Sequence, residues 1–587
     1  MRRLSPRTTM TVDPSQVASS WISQFGKALE SGDINGTVSS LHPDGYFRDI
    51  LVFSWNNRCL HGDANLTAYL TGALDKVSIR DVTLETRTGL TPQYGALTDK
   101  LPLRTVSAGF TFTCTVGIGR GYFHLVSADS GEWKAFVVMM ALADIKGHEE
   151  IKHELGVYGD HTLAWTDVFY ERRRAIETNP HVLIIGGGQT GLNVAARFKQ
   201  MEIKTLVVEA NSRIGDNWRK RYPTLVLQSP KKSNSMLYQP YPQTWPVFTP
   251  RDKLADWLEQ YAQSQDLVVW TNSRPLPHPL YDNSTKRWTV VVDRAGQHVT
   301  LHPSHIIVAN TFGAPRMPVL PHQDGFKGSV LHASAYQGGK PFTGKQVIVV
   351  GGANTAADIC QDLVSHGAQS ITMVQRSATW ILSRDSARIM FDRVFPEEMD
   401  IDVSDFIAMA YPISLMRKIE GDTVQQALEE QKMTHRGLAE AGFKIMAGKD
   451  FLTLWYEGGG GYSLDVGCSE LISSGKVKIK HGVELAEFNT DSVVFTDGSS
   501  LEADVVIFAT SYENIGDTMR KTILGDEIMD RVGPVWGLDE EGELRGCYRP
   551  TGQPGLWFAA GHFHVSRAFS KQVALKIKAI ELGLIDV

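Results

Sequence analysis

Cysteine is scarce in this chain. Its five residues, Cys59, Cys114, Cys360, Cys468 and Cys547, are widely scattered and form no C-x-x-C pair. That argues against a dithiol reductase and a cysteine-ligated zinc, leaves no metal site expected, and fits a reducing compartment such as the cytoplasm. Long apolar runs are also missing: no window reaches about 18 apolar residues, the length of a membrane span. Charge of one sign is not in excess either. The net charge of −6 comes without long like-charge runs, so nucleic acid and anionic membrane are not expected as general partners. The basic stretch MRRLSPRTTM lacks the amphipathic helix of a transit peptide and is read as a disordered tail. What remains is an ordinary composition, 42% hydrophobic and 21% charged over 587 residues. That length suggests about three to five domains.

The organising stretch is HVLIIGGGQTGLNVAARFKQMEIKTLVVE, from His181 to Glu209. Four aliphatic residues ending at Ile185 suit a buried parallel strand. Gly186, Gly188 and Gly191 then make G-x-G-x-x-G, and Gln189 and Thr190 open an amphipathic helix. The glycines serve different ends: the first permits a tight turn, the second lets the backbone approach a pyrophosphate, and the third allows close helix–strand packing. The helix start offers free N–H groups to phosphate. A second strand, Thr205 to Val208, ends at Glu209, whose carboxylate suits a ribose diol and repels a 2′-phosphate.

Before this unit, Asp13-Pro14 predicts a helix start. Val17, Trp21, Phe25 and Leu29 give that helix one apolar face, and Gly32 ends it. A short helix near Ile34 to Leu41 precedes strand patterns at 42–55, 105–116, 122–128 and 133–140, an α+β order. After Glu209 comes a long aromatic loop closed by Pro240, Pro242, Pro246 and Pro250, then a helix from Arg251 to Ala262. Two antiparallel meanders, with turns at Ala295-Gly296 and Asp497-Gly498, each feed a buried strand. Between them Gln346 to Val350 leads into Gly351-Gly352-Ala353-Asn354-Thr355-Ala356, a second glycine loop. Its second strand ends at Gln375-Arg376-Ser377 instead of an acid. An arginine there can pair with a 2′-phosphate, which favours NADPH over NADH.

FKGSVLHASAY, with Phe326, Gly328, His332 and Tyr336, resembles the F-x-G-x-x-x-H-x-x-x-Y motif of class B flavin-containing monooxygenases. The two glycine loops, Gly215 to Trp218, Tyr222 to Pro230, PVFTPRDKLADWLEQYA and LDVG at 464–467 match in order. From about residue 165 onward the chain is similar to plant YUCCA-type monooxygenases and their fungal relatives. Residues 10–150 resemble an NTF2-like cone. Tyr336 stands where Baeyer–Villiger enzymes carry tryptophan, which turns the reading away from ketone oxygenation without excluding it. Other positions depart from the pattern. Gln228 replaces the usual Asn or His, Ala309-Asn310-Thr311 and Ala509-Thr510-Ser511-Tyr512 lack the A-T-G glycine, and His562 follows Gly561 where Asn is common.

The resemblance implies an α/β flavoprotein with two Rossmann-like dinucleotide-binding domains behind an α+β NTF2-like cone. The expected division is 1–150 cone, 151–180 linker, 181–335 FAD-binding domain, 336–480 NADPH-binding domain with a helical insertion at 386–460, and 481–587 the rest of the FAD domain. FAD would be held by Gly186, Gly188, Gln189, Thr190, Gly191, Glu209, Trp218, Arg219, Gln228 and Gly561, and NADPH by Gly351, Asn354, Thr355, Arg376 and Ser377. Catalytic roles are implied for Gln228, Tyr336 and Asn514. The expected reaction moves one atom of O2 to a small organic substrate through a C4a-peroxyflavin. An oxidase or reductase releasing H2O2, and a protein whose cone does the work with Asp49 as a base, stay open. The cone is otherwise read as a packing module or the contact of a homodimer.

Overall fold

The computed structural model describes residues 12–97, 103–128, 131–310, 313–419, 429, 431–446, 451–458 and 460–586. The basic tail at 1–10 and Thr311 lie outside them.

The first helix, Pro14–Ser31, starts as its sequence dictates: the Asp13 carboxylate accepts from the N–H groups of Ser15 and Gln16 at 2.9 and 3.3 Å. It ends at Gly32 with φ +72°. Its apolar face packs on a seven-stranded sheet, with Trp21 stacked on Phe25 at 4.6 Å and against Phe123 at 4.7 Å. The strands are long and mostly antiparallel, except that Leu41–Ile50 runs parallel to Trp133–Ile145. A further helix, Asp63–Ala73, was not legible, because Gly62 offers no side-chain cap.

Two five-stranded parallel sheets follow. The first orders its strands Val269–Trp270, Thr205–Val208, Val182–Ile185, His305–Val308, Leu556–Phe558. The second runs Ser329–His332, Val505–Phe508, Gln346–Val350, Ser370–Gln375, Lys478–His481. The central strands are buried on both faces, as their unbroken aliphatic runs require. The division expected at 335/336 and 480/481 is corrected here. Ser329–His332 and Val505–Phe508 pair with each other inside the second sheet, so the chain enters that unit before 329 and leaves it after 508. A four-residue apolar run states that it is a strand but not which strand it joins.

The inserted segment is anchored by a parallel pair, Trp380–Ser383 with Tyr462–Asp465. Its helices Arg384–Val394 and Ile401–Ala410 send Phe391, Phe395 and Phe406 into the core shared with the first parallel sheet. The N-terminal unit docks on the flank of the same body through apolar residues such as Ile50, Met139 and Leu142, which share its core, and through polar contacts. Arg48 makes a bidentate pair with Glu543 at 2.6 and 2.8 Å, both side chains at most 3% exposed. Asn57 donates to Gln572 at 2.7 Å, and Lys571 reaches Asp144 and Glu150 at 2.5 and 2.6 Å. Gln572 and Lys571 belong to the helix Phe563–Glu581, which ties the N-terminal unit to the C-terminal end of the chain.

Candidate functional site

At the carboxyl edge of the first parallel sheet, Ile185 runs into Gly186 with φ +110°. A Cβ on Gly186 would lie 2.6 Å from Asn310 Oδ1, and one on Gly191 would lie 2.0 Å from the Gly186 carbonyl oxygen. Turn and helix therefore touch with no room for a side chain. Gly188 differs: the nearest atom to its hypothetical Cβ is Asn217 Nδ2 at 3.7 Å, so its outer face is clear. Gly188 caps the helix Gln189–Gln200 without a side-chain bond, which leaves N–H groups at the helix start for a ligand. Among the described residues Thr190 Oγ1 and Trp218 Nε1 find no hydrogen-bond partner though buried, an expense that a bound polar molecule would remove.

Glu209 closes this cradle from the side. One carboxylate oxygen accepts from Gly187 N at 2.8 Å, and the other accepts from Asn211 N and Nδ2 at 2.8 and 2.7 Å. Arg219 is committed elsewhere: its guanidinium donates to Ile214 O, Asp216, Asp256 and Glu259. It braces the Asp216–Arg219 turn that carries Trp218 and has little to offer a cofactor directly.

The second cradle repeats the plan with looser fittings. Gly351 has φ +139°, and a Cβ there would lie 2.6 Å from the Ala509 carbonyl oxygen. Ala353 caps the helix Asn354–Ser365, and Thr355 lies in its first turn. Asn354 Oδ1 accepts from Leu464 N at 2.7 Å, joining the loop to the inserted segment. Gln375, where an acid would hold a ribose, turns inward: its amide donates to Lys444 O and Thr379 and accepts from Lys444 N. Arg376 and Ser377 stay exposed, and the nearest acid to Arg376 is Glu484 at 3.9 Å.

The residues assigned to catalysis separate. Gln228 sits half-buried on the strand Val226–Pro230, and its amide makes no hydrogen bond to a described residue. Tyr336 does not meet its expected catalytic role. It has no exposed surface, its ring lies 5.8 Å from Phe342 and 5.9 Å from Tyr222, and its hydroxyl donates to Asp362 at 2.7 Å. Asn514 is a helix cap, accepting from Gly516 N at 2.8 Å and donating to Val535 O at 3.2 Å. The rest of the Phe326–Tyr336 motif is structural as well. His332 Nε2 donates to the Ser511 carbonyl at 3.1 Å, while Nδ1 accepts from Ser334 N. Ser511 holds φ +67° where its pattern expects glycine, a strain of about 1 kcal/mol.

Gly561 turns with φ +109° into the helix Phe563–Glu581, at the same sheet edge as Gly186. The next ring, His562, lies 3.7 Å from that of Trp455 of the inserted segment, tilted by 45°, and desolvation holds its imidazole well below the usual range. Two pairs without any sequence signal fix this end. Arg567, 1% exposed, donates to both oxygens of Asp405 at 2.8 Å and to the carbonyls of Ser233 and Ser235. Asn193 donates to Ser566 at 2.7 Å, locking the C-terminal helix to the helix of the first cradle. Asp49, offered as a base, is an anchor instead. It has no exposed surface, and it accepts from Val52 N, Phe53 N, Ser54 and Tyr69 OH.

The family model described as "FMO-like: Flavin-binding monooxygenase-like" matches residues 179–522. The probable indole-3-pyruvate monooxygenase YUCCA9 of Arabidopsis thaliana is 29% identical over 360 residues, covering 60% of this chain and 79% of its own. YUCCA3 of the same plant is 31% identical over 361 residues, with 60% and 76% covered. Among solved structures, an oxidized steroid monooxygenase bound to NADP superposes with TM-score 0.52 at 17% identity over 69% of this chain and 86% of that one. A cyclohexanone monooxygenase does so with TM-score 0.51 at 15% identity, over 69% and 88%. These two likenesses speak for the fold. Two glycine cradles on paired parallel sheets, spanned by the family match, place this chain in the flavin-binding monooxygenase-like family: it is a class B flavin-dependent monooxygenase.

Proposed function

We propose that the first cradle holds FAD, that the second receives NADPH, and that the protein transfers one atom of O2 to a small organic molecule. The observation that carries this reading is the contrast at the two strand ends. Glu209 suits an unphosphorylated ribose, and exposed Arg376 beside Ser377 suits a 2′-phosphate. The first cradle fits FAD in its own right: its glycines leave the outer backbone clear, and Thr190 and Trp218 carry buried polar atoms in want of partners. Gly186, Gly188, Gln189 and Gly191 would hold the pyrophosphate, Glu209 the ribose, and Gly351, Asn354 and Thr355 the pyrophosphate of NADPH.

Bound FAD supplies hydride acceptance from NADPH and the activation of O2. The chain supplies position and dryness. Trp455 and Tyr456 of the inserted segment, packed beside His562, and Phe395 beside His564 would help keep water from this end of the first cradle. Gln228 offers an uncommitted amide N–H to an oxygen, and His562, kept neutral by desolvation, brings no competing positive charge. The N-terminal unit is an NTF2-like cone whose role is to buttress the C-terminal helix. Its buried, fully bonded Asp49 speaks against an isomerase.

The relatives' names supply indole-3-pyruvate as the first compound to try. Purified protein should be yellow and should consume NADPH faster than NADH. Substrate should raise O2 uptake without matching H2O2 release. Equal H2O2 and NADPH totals with every substrate would identify an oxidase, and a colourless protein that ignores added FAD would end the proposal.

A further inference from the structure

Two tyrosine hydroxyls close on one face of the second nucleotide helix. Tyr222 donates to Asp358 Oδ2 at 2.6 Å and Tyr336 donates to Asp362 Oδ2 at 2.7 Å. Asp358 and Asp362 stand four apart on the helix Asn354–Ser365, hence one above the other. The tyrosines come from different places. Tyr222 follows the Asp216–Arg219 turn of the first cradle and precedes the strand bearing Gln228. Tyr336 lies between Ser329–His332 and the strand Gln346–Val350 of the second. The two segments touch again at Gly338, φ +119°, whose hypothetical Cβ would lie 3.3 Å from Pro223 Cδ.

Packing alone does not call for this chemistry. Asp362 is 2% exposed, its other oxygen makes no hydrogen bond and has only His366 Nδ1 at 3.3 Å beside it, and an apolar residue there would avoid that desolvation. A phenol–carboxylate bond adds direction, which apolar contact lacks. We infer that Tyr222 and Asp358 are positioning residues: their bond sets the spacing between the flavin-side segment 218–228 and the NADPH-side helix, and Tyr336–Asp362 holds that helix in register beneath it. The inference rests on the FAD and NADPH reading above. It adds that hydride transfer depends on a bond that touches neither cofactor's reacting atoms.

The test is anaerobic flavin reduction by NADPH in the full chain, with Tyr222→Phe, Asp358→Ala and Asp358→Asn. Tyr222→Phe keeps the ring and should keep flavin content and NADPH affinity within about twofold, yet slow reduction about tenfold or more, as small misplacements do. Asp358→Ala should match it, the double variant should be no slower than either single one, and Asp358→Asn, which retains an acceptor, should recover most of the rate. With 4-deuterated NADPH the isotope effect should rise in the slowed variants. Unchanged reduction in flavin-replete Tyr222→Phe, or losses that multiply in the double variant, would overturn the inference. A parent protein without flavin would instead overturn the cofactor reading, before any variant is made.

Discussion

The two nucleotide cradles share a plan and differ in how firmly they are built. In the first, the glycines are pressed against Asn310 and Gly186 backbone, and the acid that borders the ribose position is already bonded to the loop. In the second, the corresponding side chain, Gln375, is spent on the inserted segment, and the next residue, Arg376, extends into solvent with 72% of its side chain exposed. A rigid, closed frame suits a group that stays through every turnover. An open rim with one exposed cation suits a partner that must leave.

Substitution should expose that difference most sharply at the glycines. Gly191→Val drives a side chain into the Gly186 carbonyl, and we expect a protein with no retained flavin, checked by its visible absorbance. Gly351→Ala meets the Ala509 carbonyl at a strained φ, and should keep the colour while losing NADPH turnover. Colour lost in both would make the cradles one unit. Next, Arg376→Ala should raise KM for NADPH by about 10- to 100-fold and leave NADH unchanged, measured in steady state.

Acid should test the firm cradle by a different route. Burial alone would raise the Glu150 carboxyl, but Arg197 and Lys571 outweigh it and hold it at about 2, against 4.5 unperturbed. A depressed folded value means that its stabilisation is complete above pH 4.5 and is lost as pH falls toward 2. Because Arg197 lies on the helix of the first cradle, Glu150→Gln should release flavin at a higher pH than the parent in an acid titration followed by fluorescence. The smallest effect is expected at Gln228. Gln228→Ala should leave both cofactors bound and raise the share of O2 ending as H2O2 a few-fold, and unchanged coupling would remove it from the site.

Much of this organisation was legible because it is local. The strands Thr205–Val208 and Gln346–Val350, the three glycines and the acid 23 positions after the first of them follow from period and spacing within some thirty residues. What escaped is long-range. Arg567 and Asp405 are 162 positions apart, Arg48 and Glu543 are 495 apart, and neither pair leaves a mark on its neighbours in sequence. Tyr336 was misread for a related reason: the motif it ends resembles the family's signature, and a signature says that a residue is required, not whether it faces the cofactor or the core. Gln375 was read correctly as a missing acid, but its use as a dock for Lys444 depends on an insertion whose path the sequence does not give.

The docking face of the N-terminal unit has its partners at Glu541, Glu543, Lys571 and Gln572. Because Glu543 is translated 495 residues after Arg48, the N-terminal unit must wait for that whole stretch before its buried arginine meets a counter-charge. A product truncated before Glu541 would carry an N-terminal unit whose docking flank, Arg48 and Arg58 included, is left without its carboxylate partners.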